Sequence, residues 1–284
     1  MSVRGGEQVS RLVRSLREPA GRRRPHPIRE IALILVLFAA YKAGRLAVAG
    51  DLSEATENAR SIWRAERRLH LPSEQLVQSW LMQSHALIRL ANEFYAWVHF
   101  PATVVFLLWM WLWRPGSYLG ARRSLAAVTA LALVIHLVFP LAPPRLVPSL
   151  GLVDTAALVG PAVYGDPKTD TLTNQLAAMP SLHIAWAIIV AIVLIRATRT
   201  RWRWLWVLHP TVTTLVVVAT ANHYWADGVA AGALAAGATV AVMIPTDRSA
   251  RSARARSAAA PTEEVAVAEP SLPDGERVGP RERP

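Results

Sequence analysis

Two histidines, an aspartate and an arginine are the residues that can do chemistry here, because imidazole, carboxylate and guanidinium together move protons and hold phosphate. His223 and Asp227 are four apart, so on a helix they share a face. A carboxylate beside an imidazole fixes its tautomer and stabilises the imidazolium, leaving the other ring nitrogen to attack or to pass a proton. His183 lies in Pro180-Ser181-Leu182-His183, where Pro180-Ser181 reads as a helix start with Ser181 as its N-cap. A helix N-terminus offers backbone N–H groups and positive potential, which suit a phosphate. Arg145 follows Pro143-Pro144, and its fork can grip two oxygens of the same phosphate. The chain has no cysteine, which excludes a thiolate nucleophile, a disulfide scaffold and Cys-ligated metal sites.

The elements that must position these residues are membrane spans. The 284-residue chain is 52% hydrophobic and 18% charged, with its apolar residues in long runs and its arginines between them. Six runs approach bilayer length: 29–49, 91–113, 124–142, 182–197, 204–222 and 227–244. The fold class is therefore all-α, a polytopic membrane helical bundle of about six transmembrane helices. Residues 1–28 and 246–284 read as disordered tails flanking a membrane-embedded domain, 29–245. Between the first and second runs, apolar residues such as Ile62, Leu69, Leu76 and Trp80 alternate with charges and break near Pro72. This predicts an interfacial amphipathic helical segment packed over the bundle. The first run is read as a retained span; a cleaved signal peptide is the alternative, with Lys42 and Arg45 against it.

Charge sets the orientation. Of 31 Lys and Arg, 22 fall in residues 1–29 and 246–284 and the loops 114–123 and 196–203, which places both termini in the cytoplasm. This accounts for the net charge of +11 and leaves no case for nucleic acid as a partner. Arg145, His183, His223 and Asp227 then all reach the extracytoplasmic face. His99 and His136 lie about 10 Å below it by helical rise. They read as the floor of a head-group cavity, with Asn92, Glu93 and Tyr95 above; a neutral imidazole bonded between helices is the alternative for each. Lys168 is a further cation for phosphate, set in a polar loop with Asp166 and Asp170. Gly228, Gly232 and the alanines to Ala241 predict close helix packing, or a dimer seam; the oligomeric state is not legible.

In this order, Pro180-Ser181-Leu182-His183 and His223-x-x-x-Asp227 resemble the type 2 phosphatidic acid phosphatase superfamily. Ala142-Pro143-Pro144-Arg145, Asn92-x-x-Tyr95-x-x-x-His99, Ala178-Met179-Pro180-Ser181-Leu182-His183 and Asn222-His223-Tyr224-x-x-Asp227 are most similar to its inositol phosphorylceramide synthase-like branch. The resemblance covers about residues 50–245. Leu182 replaces the usual Gly, and Val216-Val217 replace a Ser-Arg pair. It implies a lipid phosphatase or phosphotransferase acting on a membrane lipid phosphate through a phosphohistidine, without a cofactor or metal. In that reading His223 is the nucleophile, Asp227 orients it, His183 is acid and base, and Arg145 binds phosphate. Two rivals remain at this point: a metal-dependent membrane hydrolase with His183, His223 and Asp227 as ligands, and a non-catalytic, transporter-like membrane protein.

Overall fold

A computed structural model describes residues 25–47, 52–161 and 175–243. Every regular element among them is helical. In chain order these are α1 (Pro27–Ala47), α2 (Leu52–Arg68), α3 (Glu74–Leu81), α4 (His85–Glu93), α5 (His99–Trp113), α6 (Pro115–Val138), α7 (Thr155–Val159), α8 (Leu182–Ala197), α9 (Leu208–Ala219) and α10 (Trp225–Met243). A π-turn, Phe94–Val98, joins α4 to α5 in one run, and 3₁₀ turns fill Pro144–Leu146, Pro148–Leu150 and Arg201–Val207.

Helices occupy all six apolar runs. Three of them, His85–Trp113, Pro115–Val138 and Trp225–Val242, are long and apolar enough to cross a bilayer, and Leu182–Ala197 is apolar but shorter. This is the build of a membrane protein, and it presents Val104, Val105, Leu108, Val134, Val138 and Val229 outward. The tails, 1–24 and 244–284, lie outside the described residues, as does 162–174 with Lys168, Asp166 and Asp170. Helix α1 begins at Pro27, where proline's missing N–H costs nothing, so its first turn falls in the stretch expected as tail.

The bundle is built by α6, α8 and α10 packing on one another, with α9 against α8. Sequence dictates the closeness. Ala231, Ala235 and Ala238 are the buried face of α10 and meet Val128 of α6 and Ile189 of α8 in one core. A Cβ on Gly228 would meet Ile184 Cδ1 at 3.2 Å, whereas one on Gly237 would meet nothing within 4 Å. Part of the small-residue face, through Gly228, Ala231, Ala235 and Ala238, is thus used for packing within the chain, while Ala233, Ala236, Gly237 and Ala241 are exposed.

A second, smaller core lies beside the ends of these helices. Ala55 and Ala59 of α2 pack with Leu141, Ala142, Val147, Ala221 and Tyr224. The segment leaving α6 is clamped there. Leu141 bridges Ala177 in parallel, its N–H donating to Leu176 O at 2.8 Å and its carbonyl accepting from Ala178 N at 3.2 Å. The expected break near Pro72 is a turn between α2 and α3 that His70 enters at φ 56°. Helix α3 packs on α9, and Gln78 donates to Ala219 O at 3.2 Å. Leu69, expected on the covered stripe, points outward at 72% exposure, because the chain leaves α2 one residue earlier.

Gly228 is the tightest of these approaches. Gly228→Val is expected to destabilise the protein by about 1–3 kcal/mol through overpacking against Ile184, while Gly237→Ala, in open space within the helix, is expected to stabilise it by about 0.5–1 kcal/mol. Thermal unfolding of the detergent-solubilised chain checks both.

Candidate active site

Helix α9 ends in a turn that aims the next residues back at the bundle. Ala221 takes the left-handed conformation at φ 55°, its N–H donates to Val218 O at 2.9 Å, and Asn222 N donates to Val217 O at 3.0 Å. This is a Schellman closure with alanine where glycine is usual. Holding a non-glycine residue there costs on the order of 1–2 kcal/mol. His223 follows at once, its N–H also on Val217 O at 3.1 Å.

Helix α10 then starts with Asp227 in its first turn. Asp227 Oδ2 accepts the Tyr224 N–H at 2.9 Å and lies 3.0 Å from His223 Nδ1. A carboxylate oxygen only accepts, so Nδ1–H is the donor toward it. Asp227 is fully buried and His223 is 6% exposed. Burial pushes the His223 imidazole below its ordinary range and the charge of Arg145 adds to this, against the pull of the Ala178 carbonyl. The neutral imidazole is the form that can act as a nucleophile.

His183 comes from the first turn of α8. Ser181 caps that helix, its Oγ accepting the Ile184 N–H at 3.4 Å, and its own N–H donates to Asp227 O at 3.4 Å. The start of α8 is thus tied to the start of α10, and the His183 and His223 rings lie 5.9 Å apart. The His183 ring also stacks on Tyr95 and meets His99, both at 4.6 Å between centroids.

Arg145 is placed by its backbone and held by its side chain. Its N–H donates to Ala221 O at 2.9 Å, on the same left-handed residue that sets up His223. Its guanidinium meets Gln175 Oε1 at 3.0 Å and Asp154 Oδ2 at 3.4 Å. Asp154 Oδ1 meanwhile caps α7 through Ala156 N and Ala157 N, both at 3.0 Å.

The predicted residues therefore converge: His183, His223, Asp227, Ser181 and Arg145 surround one point where the outer core meets the bundle. His99 and His136 are both tied to the same segment, His99 through His183 and His136 through a 3.2 Å bond from Nε2 to Pro180 O. Asn92 is buried on Thr155 and Gly160, while Glu93 turns outward to Arg89 at 3.0 Å and does not face the site. Asp154, Gln175, Glu66 and Glu74 escaped the sequence reading. Among the described residues no group of three or more His, Asp or Glu is arranged to hold a metal ion.

Asp227→Asn keeps the volume and an acceptor oxygen for both donors but carries no charge. What it loses is the negative charge that stabilises the imidazolium, so it is expected to leave the fold intact and lower turnover by about 10²–10⁴-fold. Circular dichroism beside an activity assay checks it.

A family model described as the PAP2 superfamily matches residues 60–241, a stretch that holds every site residue above. No curated protein and no solved structure matches the chain. Residues 60–241 are well over half of its 284, and the chain belongs to the PAP2 superfamily, which supports a phosphatase-type activity.

Proposed function

We propose that this chain is an integral membrane enzyme that cleaves or transfers the phosphoryl group of a lipid phosphate through a phosphohistidine. The observation that carries the reading is the 3.0 Å His223–Asp227 bond with the His183 ring 5.9 Å from that of His223. His223 Nε2 attacks phosphorus as the bond to the lipid oxygen breaks, and His183 gives that oxygen a proton. Water or an alcohol then loses its proton to His183 and bonds phosphorus, and the P–N bond breaks to return the neutral imidazole. Asp227 stabilises the imidazolium between these steps. Arg145, the first-turn amides behind Ser181, and Lys168 hold the phosphoryl oxygens. His99 and His136 shape the head-group pocket. Within the superfamily, the four motifs favour the inositol phosphorylceramide synthase-like branch.

The topology follows the positive charges. Six helices cross the membrane, both termini are cytoplasmic and the site faces out. Exposed Leu76 and Trp80 of α3, with Leu69 in the turn before it, suit this segment to the lipid–water boundary above the bundle. The domain boundaries remain 29–245 with a tail on each side.

The test is phosphate release from a panel of lipid phosphates and diphosphates by the purified full chain in EDTA. Release is expected to resist EDTA and to fall at least about 10³-fold in His223→Ala, as for loss of a covalent nucleophile. Brief incubation should leave an acid-labile, base-stable phosphate on the wild type only. Release abolished by EDTA, or retained in His223→Ala, defeats the reading.

A further inference from the structure

The turn between α2 and α3 places two buried carboxyl groups behind the site. Glu66 is 1% exposed and Glu74 fully buried. Glu66 Oε1 accepts the Ala226 N–H at 2.7 Å. Ala226 is in the first turn of α10, where a backbone N–H has no partner within the helix. Two carboxyl groups thus hold this turn: Asp227 takes Tyr224 N from inside, and Glu66 takes Ala226 N from α2. Ala226 lies between His223 and Asp227, so displacing it moves the bond between them.

Glu66 is in turn held by Glu74. Glu74 Oε2 pairs with Arg67 Nη2 at 3.0 Å, and the Glu66 carboxyl group faces that of Glu74. The remaining oxygens, Glu66 Oε2 and Glu74 Oε1, meet no other donor among the described residues. Two carboxyl groups can bond only if one keeps its proton. One proton between these oxygens satisfies both and leaves a single negative charge for Arg67. The other acidic group facing Glu66 is Asp227. Tyr224, beside it, gives its hydroxyl to Ala142 O at 3.2 Å. Burial, then the facing Glu74 carboxyl group, pushes Glu66 up from its ordinary 4.5 to about 8; the Ala226 amide lowers it, and the charges of Glu74 and Asp227 raise it.

We propose that Glu66 and Glu74 form a proton-sharing carboxyl pair that positions the first turn of α10, and with it Asp227 and His223. Glu66 is a positioning residue, and its effect on turnover rests on the phosphohistidine reading. Losing the shared proton sets two carboxylates against each other beside Asp227, and the hold on Ala226 loosens.

Glu66→Gln keeps an acceptor for Ala226 and a donor for Glu74, with no proton to lose. Lipid-phosphate turnover by the full chain in EDTA is measured across pH. Wild-type kcat is expected to fall above about pH 8, with KM within about twofold, and this limb is absent from Glu66→Gln. Near neutral pH, Glu66→Gln holds kcat within about threefold of wild type, while Glu66→Ala loses about 10- to 100-fold, the scale of a small misplacement. Thermal unfolding reads the pair without turnover. With Glu66 at about 8 in the folded chain and 4.5 unfolded, the folded chain binds more protons in between. Wild-type stability relative to Glu66→Gln is therefore full below about 4.5, falls as pH rises to about 8 and is level beyond. Parallel unfolding profiles for the two proteins, or a Glu66→Gln as impaired as Glu66→Ala, overturn the proposal; if Glu66→Ala does not fold, Glu66→Gln decides. A folded wild type with no turnover on any lipid phosphate defeats the phosphohistidine reading instead, and unfolding alone then judges the pair.

Discussion

The constraint on which the site depends is the placement of one carboxylate, Asp227, at the N-terminus of α10. It does three jobs from a fully buried position. Its Oδ2 closes the helix end by taking Tyr224 N, the same oxygen orients His223, and its backbone carbonyl receives Ser181 N from the start of α8. The positive end of a helix favours an anion at that point, so the residue that organises the imidazole is itself organised by the backbone dipole. Three segments distant in sequence, 180–183, 221–224 and the first turn of α10, are thereby fixed by one side chain and its own backbone.

The rest of the molecule holds that end still. Close contact of α6, α8 and α10 is made possible by alanine and glycine on the α10 face, which brings Ile184 against Gly228 and so His183 toward His223. The outer core does the same for the loop segments. Tyr224, fully buried, reaches Ala142 O, and Ala142 N reaches Ala55 O at 3.1 Å, so the exit of α6, the start of α10 and α2 form one chain of contacts. Arg145 hangs from the same left-handed Ala221 that turns the backbone into His223. Its position relative to the imidazole is therefore a backbone property and not a matter of side-chain reach alone.

Local rules carried the sequence reading, and it failed where contacts are not local. Bilayer-length apolar runs gave the helices, because a run of that length has few other uses. Pro180-Ser181 gave the capped start of α8, which depends on helix geometry within a turn. The four-residue spacing gave the His223–Asp227 pair, but not as a shared helix face: His223 precedes α10, and Asp227 reaches back to it from the first turn. Nothing local announces that Asp154, nine residues on from Arg145 and across two 3₁₀ turns, would be its partner. Glu66 sits in the charged run Glu66-Arg67-Arg68, which reads as a solvated helix end. The signal was its register: Ala55, Ala59, Ile62 and Glu66 form one stripe, and a carboxylate on an apolar stripe asks for a buried partner. Glu93 does not face the site with Tyr95, because it pairs with Arg89 one turn back on the exposed side of α4.

The guanidinium of Arg145 is almost entirely enclosed, at 3% exposure, and already faces the carboxylate of Asp154. The chain's own carboxylate thus already balances this buried cation, which would be costly to enclose alone. Because Asp154 keeps its other oxygen on the amides of α7, the start of that short helix is what holds the counter-charge in place.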